Sequence, residues 1–238
     1  MSLNYTQYVN SLANLLVVPS ADTGFQAVLP NIIDDAEQRL YRELNLLNTS
    51  VRGTSTLTAG NRTFDVPTFA DGVFQVTEEV NVITPAGTTN PESGTRNQLV
   101  PCSEFMLNNL WPSVTGSTVP QYFAMFDQHT IIVGPWPAAS YTVEVVGTMR
   151  PNALSSSNVT TLLSVYFPDL FVAASMVFAA GYQKNYGAGV DDPKQAMTWE
   201  AHYQALLPSA KTEEARKVFT GPGWSSQEPS SIVTPPRT

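Results

Sequence analysis

The sequence predicts an α+β protein: a helical bundle formed by the N- and C-terminal helices, an inserted antiparallel β-rich module, and an extended C-terminal tail. Three observations predict it. Apolar residues recur at three- and four-residue steps before position 48 and again after position 151, the period of a helix with one buried face. Between those points the period becomes alternating, and Val, Thr, Phe and Gly dominate. From Gly221 onward neither period survives, and the polar, proline-rich stretch cannot build a core. The expected division is N-terminal helices in 1–50, a β-rich module in 51–150, C-terminal helices in 151–220 and a tail in 221–238.

Along the chain, Leu3, Tyr8, Val9, Leu12, Leu15 and Leu16 mark one face of a first helix, ended by Pro19. Asp22 caps a short turn, Pro30 opens the main second helix, and Ile32, Ile33, Ala36, Leu40, Leu44 and Leu47 form its stripe. Asp35 with Arg39, and Arg39 with Glu43, make four-residue pairs on its wet face. Strands follow at 51–58, 63–66 and 73–83, the first two joined by a turn at 59–62. The run 84–97 has turn formers and no apolar period, which predicts a long exposed loop or arm.

A short helix over 103–111 is capped by Ser103, and three strands follow at 122–126, 130–133 and 141–149. In the last, Tyr141, Val143, Val145 and Met149 share one face while Thr142, Glu144 and Thr148 share the other. After a turn at 160–166 comes an apolar helix from Pro168 to about Tyr186, ended by the glycines 187–189. Asp192 and Pro193 open a last helix whose stripe is Ala196, Trp199, Tyr203, Leu206 and Leu207. Its charged continuation past Pro208 is a further helix or a kinked extension.

The totals exclude several functions. The formal net charge is -8, only 13% of residues are charged, and no window gathers the Lys and Arg that phosphate neutralisation needs. Tight nucleic-acid binding is not expected. One cysteine, Cys102, excludes a disulfide framework within the chain and a multi-thiolate zinc site. The start of the chain lacks the pattern of a secretory signal, and the apolar run 170–182 is too short for a bilayer span, so a soluble protein is expected.

Candidate chemistry is thin. His129 beside Asp127 resembles a base with its orienting carboxylate, but no nucleophile motif accompanies it, and polar residues belong in a tight turn anyway. His202 has no partner at metal-ligand spacing, and no phosphate-binding loop is present, so neither metal nor cofactor is expected. The acidic clusters at Asp34, Asp35 and Glu37, at Glu78 and Glu79, and at Asp191 and Asp192 suit a glycosidase pair by residue type. Helix-opening turns and a cap explain the first and last equally well. Of the four tryptophans, Trp199 lies on a helix stripe, whereas Trp136 and Trp224 are flanked by Pro or Gly in segments expected to be exposed. There they read as interface anchors, with Pro137, Ile232, Val233 and Pro235 as neighbouring contacts.

Four stretches in order, LPNIIDDAEQRLYRELN, IIVGPWPAASYTVEVVGTMRPNALS, YFPDLFVAASMVFAAGYQKN and AMTWEAHYQALLPSAKTEEARK, resemble the bacteriophage head-to-tail adaptor, or connector, family. The phrase from Ile131 to Ser155 carries most of the likeness: an apolar strand meets a proline turn, returns as YTVE and leaves through Pro-Asn-Ala-Leu-Ser. The resemblance implies a structural, non-enzymatic virion protein of the neck or tail, assembled in the host cytoplasm. It implies a ring, typically a dodecamer, that docks on the portal protein, offers a surface to tail or nozzle proteins, and lets DNA pass through its lumen without specific binding. It implies no membrane partner. The alternatives are a tail-tube or neck protein, and a tail-associated carbohydrate-active hydrolase using carboxylates such as Asp65, Asp71 or Glu144.

Overall fold

The computed structural model describes residues 2–182 and 195–217. Helix α1 (Tyr5–Leu16) starts at a reciprocal cap: the Asn4 side chain accepts from the Gln7 N–H, and the Gln7 side chain accepts from the Asn4 N–H. It ends before Pro19, because Val17 turns left-handed (φ 56°) and its N–H closes on the Ala13 and Asn14 carbonyls. Tyr8, Val9, Leu12, Ala13 and Leu16 are buried, whereas Leu15, expected in the core, is 42% exposed.

Helix α2 (Thr23–Glu43) is capped by Asp22, whose carboxylate accepts the Phe25 N–H at 2.8 Å. Here the sequence reading is corrected, since Pro30 lies inside one continuous helix and does not open it. A proline eight residues in gives up one backbone bond. Phe25 and Leu29 before it, and Ile32, Ile33 and Ala36 after it, bury on the same core, and that burial outweighs the lost bond. Past Glu43 the helical register lapses, so Leu46 is buried in place of Leu47. Arg39 pairs with Glu43 as expected, but its second partner is Glu200.

Among the described residues eight strands make two four-stranded sheets: β1 (Ser50–Leu57), β2 (Thr63–Asp65), β3 (Gly72–Thr84), β4 (Thr95–Gln98), β5 (Val100–Pro101), β6 (Tyr122–Met125), β7 (Thr130–Gly134) and β8 (Tyr141–Pro151). The first sheet runs β1-β8-β3-β4 and is antiparallel throughout. The second runs β2-β7-β6-β5, with only β5 parallel to its neighbour. The turn at 59–62 therefore carries the chain from one sheet to the other. The alternation on β8 holds as far as Val145, since Tyr141, Val143 and Val145 enter one core with Phe64, Val80 and Ile131, whereas Met149, expected on the same face, is only half-buried and outside that core. Gly147 is required there, because a Cβ would lie 2.0 Å from the Val76 carbonyl oxygen, where β3 bulges twice against β8.

The segment 84–97 is a correction. It is a closed β3–β4 hairpin, with a short 3-10 turn at Pro91–Ser93 and Thr84 paired to Thr95. Arg96 ties it down through Glu144 and Glu92, and Asn97 through Thr84 and the Val82 carbonyl. Helix α3 (Glu104–Leu110) starts at Ser103 as the sequence predicts and packs Leu107 on Ala124 and Ile132.

The chain returns through α4 (Leu162–Tyr166), α5 (Pro168–Tyr182) and α6 (Gln195–Lys217). Helix α6 continues through Pro208, so the charged segment is its continuation and not a further helix. These helices share a single core with α1 and α2. Tyr8 stacks on Phe171 with ring centroids 4.4 Å apart, and its hydroxyl hydrogen-bonds to Ser175. Arg39 grips Glu200 with both terminal nitrogens at 2.6 Å while lying 4.0 Å over the Tyr203 ring. The ends of the glycine stretch 187–189 and the Asp192 cap lie outside the described residues.

Bundle and sandwich are joined where β8 leaves the sheet. Arg150 donates to Asp34 at 2.7 Å, and the Leu154 N–H donates to Glu37 at 3.1 Å. Glu37 is 1% exposed, with Asp34, Tyr8, Tyr41 and Arg150 as its electrostatic neighbours. Burial raises its carboxyl from the ordinary 4.5 to about 7, partly opposed by the Leu154 bond.

Candidate assembly surfaces

The proline bridge after β7 is lashed to the sandwich. The Trp136 Nε1–H donates to the Trp111 carbonyl at 3.0 Å, and the Arg62 guanidinium lies 5.1 Å from the Trp136 ring centre while also bonding Trp111 and Asn108. Thr118 N–H donates to the Trp136 carbonyl at 2.9 Å, and Gly60 N–H to the Pro137 carbonyl at 3.0 Å. Gly134 makes this possible, since a Cβ there would meet the Trp111 ring at 2.7 Å. Trp136 is thus half-buried with its N–H satisfied, and Pro137 is buried. The indole stays partly exposed, with exposed Leu110 and Val114 on the segment it bonds to. Trp224, Ile232, Val233 and Pro235 lie outside the described residues.

A second surface explains Leu15. Between α1, α5 and α6 lies an open groove of about 870 Å³, walled by Leu15, Val172, Trp199 and Leu206 and reaching Tyr166 and Glu213 at one end. His202 is on its rim, edge-on to Trp199 at 5.8 Å between centroids. The sequence carried this signal in a form that pattern reading assigns to the core: one leucine too many on the α1 stripe, and a tryptophan on the α6 stripe that is only half covered.

The carboxylates weighed for catalysis sit apart. Asp65 is on β2 and accepts the Thr130 hydroxyl, Asp71 is in the turn before β3, and Glu144 is on the outer face of the other sheet. Glu144 is 1% exposed and clasped by Arg96 at 2.8 and 3.2 Å, with Arg52 at 3.6 Å. The Arg96 hydrogen bonds hold its carboxyl below the usual carboxylate range. Asp127 accepts the backbone N–H groups of His129 and Thr130, both at 2.7 Å, which lowers its pKa and makes it a turn former. Cys102 bonds the Phe123 carbonyl, and burial pushes its thiol pKa up. Among the described residues no group of three His, Cys, Asp or Glu side chains is placed to hold a metal ion.

Sequence reasoning missed Glu37 and Glu144 as internal locks. The sign was present in each case, a charge on the apolar stripe of α2 and a charge inside an eleven-residue strand of high β propensity. Buried charges of this kind must find partners.

An α+β chain with one helical and one β-sandwich core, whose buried charged side chains tie its own elements together and whose open features include a groove and a tryptophan-bearing edge, has the make-up of a structural assembly protein. The family model described as SU10 adaptor protein matches residues 3–223, and the chain belongs to that family. It is a bacteriophage structural adaptor, of the virion neck, that associates with other head and tail components. No curated protein matches the chain. No helix among the described residues is long and apolar enough to cross a membrane.

Proposed function

We propose that this adaptor is the subunit of a ring, a dodecamer, that assembles in the host cytoplasm, docks beneath the portal protein, offers the attachment surface for tail or nozzle proteins, and lets DNA pass through its lumen. The observation that carries the reading is the family match over residues 3–223. The charge supports the passage role. A net -8 on a sparsely charged chain repels a polyanion, so a lumen lined by such subunits does not grip DNA.

In this reading the bundle from 1–50 and 151–220 is the rigid body and the module 51–150 the lateral one. The exposed part of Trp136, with Pro137 buttressing it, is a partner contact, and Trp224, Ile232, Val233 and Pro235 in the 221–238 tail are others. Native mass spectrometry and negative-stain imaging of the chain with and without portal rings test the proposal. A ring on the portal is expected. A chain that stays monomeric and ignores the portal overturns it, and one that binds only assembled tails places it farther down, as a tail-tube or neck protein.

A further inference from the structure

Strand β1 is an open edge of unusual length for this molecule. The free edges of the second sheet are a three-residue strand, β2, and a two-residue strand ending in Pro101, both poor templates for pairing. Strand β1 has eight residues, no proline and one charge, Arg52, which Glu144 draws over the sheet face at 3.6 Å.

The ladder fixes which backbone groups point outward. Leu99 N–H donates to the Val80 carbonyl at 2.8 Å, so Val80 makes its bonds on the β4 side. Antiparallel pairs alternate between bonded and non-bonded, so Val145, opposite Val80, makes its bonds toward β1, and there it faces Gly53. Arg52, Thr54 and Thr56 therefore present their N–H and C=O groups to the free side, and no described residue bonds to them. The same alternation turns Arg96 and Gln98 of β4 outward at the opposite edge, beside a cleft of about 520 Å³ lined by Asn97, Gln98, Val119 and Pro120.

We propose that the β1 edge of one copy pairs with the β4 edge of the next, so that the sheet continues from subunit to subunit. Three features select a second copy as the occupant. Both halves of the ladder are on one molecule, on opposite sides of one sheet. Because β1-β8-β3-β4 alternates in direction at each step, β4 of one copy and β1 of an identically oriented neighbour meet antiparallel. A contact between two different edges is heterologous, the kind that closes into a ring. The cross-strand row Thr54, Glu144, Asn81 and Gln98 would then run on into the neighbour's Thr54. The inference rests on the ring reading and names the surface that makes it.

The test uses the full chain. Thr54→Pro removes an outward N–H without touching the β8 ladder, and Thr54→Lys with Thr56→Lys charges the edge without altering the backbone. Both variants are expected to keep the wild-type melting profile and to lose the ring in native mass spectra, alone or with portal. Thr54→Cys and Gln98→Cys chains, each with Cys102→Ala, are expected to form a mixed disulfide when combined and oxidised. Rings from both edge variants together with no mixed disulfide would overturn the pairing while leaving the ring reading intact. A wild-type chain that never assembles overturns both.

Discussion

Glu37→Gln should flatten the pH dependence of stability above pH 5. The carboxyl is buried, and its pKa rises from 4.5 to about 7 on folding. The folded state therefore holds more protons than the unfolded state between those values, and stability falls as pH rises through the window. The contribution is complete below about pH 4.5 and gone above about pH 7. A shift of that size corresponds to about 3 kcal/mol, or ~6–12 °C in Tm for a chain of this length. Glutamine keeps an oxygen to accept the Leu154 N–H and carries no charge beside Asp34, so the variant should lack this loss. Urea unfolding at half-unit steps from pH 5 to 8.5 reads the difference between the two proteins, in which other titrating groups cancel. The gap should change by about 3 kcal/mol in favour of the variant as pH rises. A gap that stays constant across the range would show that Glu37 does not titrate there and would refute the burial argument.

Other outcomes follow from the same structure. Arg39→Met removes the two-nitrogen grip on Glu200 and the bond to Glu43, and should cost ~1–2 kcal/mol in urea unfolding after allowing for the partial exposure of Glu200, with Arg39→Lys recovering little. Gly147→Ala forces a Cβ against the Val76 carbonyl and should cost ~3 kcal/mol or more, seen as a lower Tm or insoluble expression. Deleting 221–238 should leave the melting temperature unchanged and weaken assembly on the portal; a drop of many degrees would assign the tail to the core. Trp136→Ala should weaken portal or tail binding in pull-down while lowering Tm modestly, because the indole also bonds Trp111.

Element type was legible wherever the apolar period was local. The Ser103 cap and the face of Tyr141, Val143 and Val145 come directly from spacing. The misses come from long-range contacts that spacing does not encode. Pro30 and Pro208 read as boundaries because the backbone cost of proline is local, whereas the burial that outweighs it comes from other helices of the shared core, which spacing within one segment does not encode. The 84–97 stretch reads as an arm because Glu144, which anchors it, lies on β8. Strands 51–58 and 63–66 read as neighbours joined by a turn, yet their pairing partners, β8 and β7, come much later in the chain. At the candidate surfaces, Trp136 was visible as an unusual residue, but its bonds to Trp111 and Arg62 required the fold.

The pairing of Ser50 with Thr148 puts the two strands that connect sandwich to bundle side by side. That adjacency predicts an order for folding. The helices of the bundle come from segments separated by the whole sandwich, so docking them directly closes a loop of about a hundred residues in one step, whereas the sandwich closes that span through shorter pairings, β3 on β4 and β6 on β7 first. A formed sandwich, with Ser50 held against Thr148, presents the two segments that lead into the bundle side by side, and the helices then meet as though joined by a short turn. Probes in the sandwich should gain protection before probes in α5, and circularly permuted chains opened within 59–62 should fold more slowly than chains opened at the bundle's outer loops.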